Sequence, residues 1–442
     1  MKGKLNIFQR TMLLWNEIHP YNAVNLVRIP QPLNLARLED IIKRHLERYS
    51  LMGLVICRKK KRFRYHGGST NIEIKVIEGQ ENALATLYSE IQEQLNMPFK
   101  KIPPLPPLVK VRGEDFKVEP FRFFAVKEGD SFYLGLVYFH LISGDDSIIF
   151  LLKSIVNFYM DKNASGLCLP LNLYPMRYRY PPPINLKSMI GWIFSLPGYI
   201  ANLRKSFRPR YSDINDHNIG FSYFRIEPSQ FQSLVRTAKR LGVTLNDMFL
   251  AILMKSISPL ASKRWHSSRR KKISIASIIN IRKDLSADNP GIFGLFLSSF
   301  SVTHIVPDGI PLEQLVKDIH KQTVKIKKHK LYLRTIMEMG AALVLLRYFF
   351  SKRKEKFYPK YYPLWGGITN INLNSLWKMP DNKIPVDYLR AVSTGHATPL
   401  VFSFTTVNDV LNIGVSFRTT VFSDTDIEKI MSNFSNCIYN LN

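Results

Sequence analysis

The residues of this chain best suited to chemistry lie in one stretch, Tyr138-Phe139-His140-Leu141-Ile142-Ser143-Gly144-Asp145-Asp146-Ser147. An apolar run of strand character delivers a histidine. A short turn with glycine and two acids follows, and an apolar pattern of helical spacing leaves. An imidazole at a strand end can face a cleft rather than a packed layer. With an ordinary pKa of about 6.5 it is neutral at physiological pH, and can take a proton from a hydroxyl or amine attacking an acyl carbon. The plainer alternative is a structural histidine packed at a strand end, and the histidine alone does not separate the two.

Other chemistries find few residues to carry them. The chain has no His-Glu-x-x-His, no paired Cys-x-x-Cys, no phosphate-loop Gly-x-x-x-x-Gly-Lys and no Gly-x-Ser-x-Gly elbow. Cys57, Cys168 and Cys437 are odd in number and far apart, so neither a disulfide framework nor a metal site is expected, and a reducing cytoplasm suits them. His45, His66, His217, His266 and His329 sit in polar surroundings and are expected at the surface. His396 follows a strand of the second half, where it could approach the cleft, a turn role being the favoured expectation.

The elements that must position His140 alternate between strand and helix. Leu35, Leu38, Ile41, Ile42 and Leu46 recur at helical spacing, as do Leu84, Leu87, Tyr88, Ile91 and Leu95. Gly53 to Tyr65 reads as strands around a basic turn, and Pro103 to Pro107 as a connection. Leu108–Arg112, Phe121–Val126 and Phe132–Phe139 read as strands, and a helix is expected from about Asp146. Proline and tyrosine dominate Leu169 to Pro183, which reads as a linker, and an amphipathic piece from Leu186 to Phe207 ends in Arg204, Lys205, Arg208 and Arg210.

The second half repeats the alternation. Strands are expected at Ile219–Ile226, Ile273–Ile281, Phe296–Ile305, Gly367–Leu373, Tyr388–Thr394, Leu400–Thr406 and Val410–Arg418. Helices are expected at Gln230–Arg240, from Thr244, over Leu312–Lys330 and Arg334–Phe350, and after Ser423. The length of 442 residues favours two lobes, here an N-terminal lobe over 1–185, a crossover over 186–215 and a C-terminal lobe over 216–442.

The charge is unusual: 62 Lys and Arg against 34 Asp and Glu give a formal +28. Such a surface attracts polyanions, whether nucleic acid, anionic lipid, an acidic carrier protein or a phosphate-bearing substrate. Nucleic acid is the least favoured, because no zinc-finger, helix-turn-helix or RNP-type signature accompanies the charge. The N-terminus carries no secretory pattern, so a cytoplasmic protein is expected. The apolar Ser188–Leu203 piece is short of the roughly 20 residues of a membrane span. With its trailing arginines it suits peripheral contact with the inner face of an anionic membrane.

The His140 stretch resembles the signature His-His-x-x-x-Asp-Gly of the CoA-dependent acyltransferase and peptide-synthetase condensation superfamily, with His140 on the second, catalytic histidine and Ser147 on a following small polar position. Further landmarks in the expected order are Trp15-Asn16-Glu17-Ile18-His19-Pro20-Tyr21-Asn22, Gly242 to Asp247, Asn280-Ile281-Arg282, Ile368 to Asn372 and Leu411 to Phe422. Among relatives it looks most like stand-alone condensation-like acyltransferases, a group shading into wax ester synthases and alcohol acetyltransferases.

The resemblance implies an α/β fold of two chloramphenicol-acetyltransferase-like lobes, a V-shaped pseudo-dimer with a central tunnel. It implies condensation of an acyl thioester with a hydroxyl or amine on a small-molecule or lipid acceptor. The donor would be acyl-CoA or a phosphopantetheinyl thioester on an acidic carrier protein, with no bound cofactor and no metal. His140 would be the general base, and Gly144, Asp145, Asp146, Ser147 and Arg282 would support it. Asn370, Ser147 and Gly294, the last in the loop Asn289 to Gly294, are the tunnel or oxyanion candidates. The sequence departs from the signature twice. Phe139 replaces the first histidine, and Gly144 and Asp145 invert the Asp-Gly order. In relatives that aspartate pairs with an arginine, so Asp145 or Asp146 is expected to reach Arg282. If neither does, the alternative is a catalytically degenerate binding protein on the same fold.

Overall fold

The computed structural model describes residues 2–67, 72–79, 83–100, 115–161, 172–173, 186–285, 291–348, 354–377 and 387–441. The Pro103–Pro107 connection, the strand expected at Leu108–Arg112, Cys168, Asn289-Pro290 and most of Leu169 to Pro183 lie outside these residues. The chain divides into two compact units, and the division is not sequential. The first comprises Met1–Pro182, Ile281–Leu297 and Leu373–Ala391, and the second comprises Pro183–Asn280, Ser298–Asn372 and Val392–Asn442.

The first unit is built on a five-stranded sheet in the order Tyr388–Val392, Asn22–Ile29, Ser131–Phe139, Phe121–Glu128, Ile74–Glu78. The three middle strands pair antiparallel, and the edge strand Ile74–Glu78 pairs parallel with Phe121–Glu128. Every residue of Ser131–Phe139 is buried, which explains its near-continuous apolar run. Gly135 faces Phe124 across the pair, where an added Cβ would come within 2.2 Å of the ring. Helices Leu35–Arg48, Ala83–Asn96 and Asp145–Met160 bury most of the faces that their spacing predicts, but Leu35 and Leu84, in the first turns of the first two, are exposed. A small antiparallel sheet of Lys2–Lys4, Arg62–Tyr65, Leu54–Cys57 and Asp115–Val118 completes this unit, with the basic run 58–61 as its turn.

The second unit holds a six-stranded mixed sheet in the order Ile219–Ile226, Val410–Arg418, Leu400–Val407, Gly366–Asn372, Ile273–Asn280, Leu297–His304. Helix Leu245–Ile257 is its core helix, and Phe249 stacks on Phe404 at 4.1 Å. A capping box starts this helix: the Thr244 hydroxyl accepts from the Asp247 amide, and the Asp247 carboxylate accepts from the Thr244 amide. Asp247 also accepts from the Thr323 hydroxyl at 2.6 Å. The same device, Ser423 with Asp426, starts Asp424–Tyr439. Among the described residues no single helix is long and apolar enough to cross a membrane.

One expectation about histidines changes. His45 is buried rather than on the surface, with Nδ1 on the Ile41 carbonyl at 2.7 Å and Nε2 on the Ser154 hydroxyl at 3.0 Å. It falls on the inward stripe with Leu38, Ile41 and Ile42, so periodicity outweighs its polar neighbours. His396 lies in a turn, as expected, and is buried against the rings of His217 and Tyr358.

Candidate active site

The strand Ser131–Phe139 ends one residue before His140, whose amide donates to the Tyr21 carbonyl at 3.2 Å. Tyr21 also stacks on the imidazole, 5.4 Å between centroids and 12° between planes, and Tyr138 meets it edge-on. The Trp15 to Asn22 landmark therefore serves the histidine directly. Its Asn16 carboxamide accepts from the Tyr21 amide at 3.1 Å and holds the turn in place.

Only 5% of His140 is exposed. Its Nδ1 lies 3.1 Å from the Ser143 carbonyl, an acceptor, so Nδ1 carries the proton and the Nε2 lone pair is left over. Burial lowers its pKa below the ordinary histidine value, while Asp145 and the Ser143 carbonyl pull the other way without cancelling it. The imidazole is thus neutral at pH 7.

Each of the two acids of the turn has its own arginine. Asp145 accepts from Arg390 at 2.5 Å, from the Tyr138 hydroxyl at 2.7 Å and from the Asn25 amide at 3.3 Å. Arg390 has no exposed surface at all. Burial raises the Asp145 pKa, but Arg390, His140, Tyr138 and Asn25 outweigh it and hold the carboxyl below the usual aspartate value. Asp146 pairs with Arg282, which also donates to the Ser147 hydroxyl at 2.7 Å and the Ile292 carbonyl at 2.8 Å. Arg282 is thus reached by Asp146, while Asp145 takes a different arginine.

The inversion of the Asp-Gly order has a geometric counterpart. Gly144 is the N-cap of helix Asp145–Met160 in an extended conformation that any residue could adopt. A Cβ there would sit 3.1 Å from Oδ1 of Asp146. The Asp146 carboxylate therefore lies beside the space that a side chain at position 144 would enter, and it carries the arginine pair from there. Phe139, in the place of the first histidine, is buried and contacts the Phe99 ring at 6.0 Å.

Ser147 is fully buried, with its hydroxyl held between Arg282 and Gly294. The Gly294 carbonyl accepts from the Gly144 amide at 3.1 Å, and its own amide donates to Ser147 Oγ at 3.4 Å. Gly294 therefore joins the cluster through its backbone. Asn370 lies in the second unit, at an exposed position of strand Gly366–Asn372. Among the described residues, no group of three or more His, Cys, Asp or Glu could hold a metal ion.

Sequence reasoning missed Arg390, Asn25 and the parts played by Tyr21 and Tyr138. One signal for Arg390 was available: a lone arginine within the apolar strand Tyr388-Leu389-Arg390-Ala391-Val392 requires a buried partner.

No family model and no curated protein sequence matches the chain. Solved structures do match it over its whole length. The cyclization-docking bidomain of the EpoB nonribosomal peptide synthetase from Sorangium cellulosum is 14% identical, with a TM-score of 0.66 and 85% of that chain covered. The first condensation domain of the calcium-dependent antibiotic synthetase, in complex with a substrate analogue, is 13% identical, with a TM-score of 0.67 and 97% covered. The nonribosomal peptide synthetase FmoA3 is 13% identical, with a TM-score of 0.65 and 45% covered. The chain has the fold of a condensation domain.

Proposed function

We propose that this chain, built on the condensation-domain fold, transfers an acyl group from a thioester to a hydroxyl or amine acceptor, with His140 as general base. The observation that carries the reading is the imidazole: buried, neutral, with its Nδ1 proton committed to the Ser143 carbonyl and its Nε2 lone pair left to accept. Nε2 takes the acceptor proton as the oxygen or nitrogen attacks the thioester carbonyl carbon. The tetrahedral intermediate then collapses with cleavage of the C–S bond, and the leaving thiolate takes the proton from the imidazolium. Atoms and charges balance without a covalent enzyme intermediate or an added reactant.

Asp145, Asp146, Arg282 and Arg390 are positioning residues. They hold the turn that carries His140 and the start of the following helix, and the carboxylate of Asp145 stabilises the imidazolium as it forms. The formal +28 favours anionic donors, coenzyme A thioesters or thioesters on an acidic carrier protein, by long-range attraction.

The test is thiol release from a panel of acyl-CoAs and acyl carrier proteins offered with pooled hydroxyl and amine acceptors. Wild-type turnover is expected to fall about 10²- to 10⁴-fold in His140→Ala, with the circular dichroism spectrum unchanged. Turnover that survives in His140→Ala, or a folded wild type that releases no thiol from any donor, would overturn the proposal.

A further inference from the structure

Helix Leu186–Lys205 of the second unit is inside out. Two of its polar side chains are committed to the protein: Ser195 accepts from Arg334 at 2.8 Å, and Asn202 accepts from Lys272 at 2.9 Å, on the side where Trp192 is buried. A described solvent-facing stripe ahead of the exposed Arg204 and Lys205 is apolar instead. Ile190, Phe194, Pro197 and Ala201 follow one another at spacings of four, three and four residues along a single face, all of them exposed. Phe194 is 81% exposed, an unusual position for a phenylalanine with nothing to gain from water.

Helix Arg334–Tyr348, joined to the first through the Arg334–Ser195 hydrogen bond, repeats the pattern with Met337, Ala341 and Val344 exposed at the same spacing. The apolar face of the first helix runs directly into cations. Pro197, Ile200 and Ala201 line an open cavity of about 950 Å³ together with Arg204, Lys205, Arg269 and Arg270. No carboxylate is among its described lining residues.

We infer that this face is a membrane-docking surface: Phe194 and its neighbours enter the headgroup and upper acyl region of an anionic bilayer, while Arg204, Lys205, Arg269 and Arg270 hold lipid phosphates. An exposed aromatic-aliphatic stripe ending in clustered cations is complementary to the layered chemistry of such an interface, apolar below and anionic above. A soluble acidic partner would pair with the cations but would leave the apolar stripes in water. The inference is independent of acyl transfer, since none of these residues is among those that position His140.

The experiment is co-sedimentation of the full chain with phosphatidylcholine vesicles, with and without phosphatidylglycerol. Binding is expected only to the anionic vesicles. It should weaken about fivefold for each cation removed by Arg204→Gln or Arg269→Gln, and about tenfold for Phe194→Ser. In Phe194→Trp, fluorescence should gain a component quenched by brominated acyl chains, which reports insertion and not mere surface attraction. All four changes are at exposed positions, and thermal melting checks that each variant is folded. Failure to sediment, sedimentation unaffected by Phe194→Ser, or capture by an acidic carrier protein in place of vesicles would each overturn the inference.

Discussion

The Asp145–Arg390 pair gives the sharpest quantitative test, because both charges are buried and without Arg390 the Asp145 carboxylate would lose its one ion-pair partner among the described residues. Removing one partner of a buried ion pair costs about 3–5 kcal/mol. For a unit of this size that corresponds to a Tm lowered by roughly 6–20 °C. In Arg390→Met the Asp145 carboxylate keeps only the Tyr138 and Asn25 donors, and burial then raises its pKa instead of the arginine lowering it. The sign of the pH dependence must therefore invert. In the wild type the folded-state pKa of Asp145 is depressed, so its contribution is complete at neutral pH and is lost as pH falls through the folded-state value, below the ordinary aspartate range. In Arg390→Met the folded-state pKa lies above the unfolded one. The penalty is then full at neutral pH and shrinks as pH falls and the carboxyl takes a proton. Asp145→Asn/Arg390→Met removes both charges and keeps an acceptor for the Tyr138 hydroxyl, so it should recover most of the loss. Denaturant unfolding of the wild type, both single mutants and the double mutant between pH 5 and 8 (about the range where folded proteins are most stable) measures the cycle. A loss under about 1 kcal/mol in Arg390→Met, or a gap between Arg390→Met and the double mutant that does not narrow on acidification, would refute the reasoning.

Four further outcomes follow from the same geometry. Because burial lowers the pKa of His140, kcat/KM should stay level through neutral pH and fall only on the acid side of about 6.5, read from a pH–rate profile with a rapidly released thioester. Gly144→Asp should lower turnover in the wild type, where the new side chain crowds Asp146. It should recover in Gly144→Asp/Asp146→Gly, which returns the turn to two acids and removes the crowding. Arg282→Lys cannot serve Asp146, Ser147 and the Ile292 carbonyl together, and should cost about 1–3 kcal/mol in denaturant unfolding together with a fall in kcat. Gly135→Ala should destabilise by about 1–3 kcal/mol, seen as a lower denaturation midpoint at unchanged slope, because the Phe124 ring covers the glycine within the sheet.

The sequence by itself determined the elements that alternation and capping specify. Val410–Arg418 and Ile219–Ile226 fall at the residues their apolar patterns mark, and Thr244 with Asp247 marks a helix start within a residue. These signals are local: a period of two or 3.6, or a hydroxyl and a carboxylate three residues apart, is written in neighbouring positions. The His140 stretch was legible for the same reason, since strand, turn and helix start are consecutive. What only the tertiary structure decided is which charges meet. Asp145 and Arg390 are 245 residues apart, and Asp146 and Arg282 are 136 apart. Nothing in either local pattern distinguishes which acid serves which arginine. That choice comes from the edge strand Tyr388–Val392 lying beside Asn22–Ile29, and from Ile281–Leu297 packing with the first unit although most of its sequence neighbours belong to the second. The cost of burying a charge without a partner then selects the pairing, a term that sums over the whole fold and is invisible in any window of the chain.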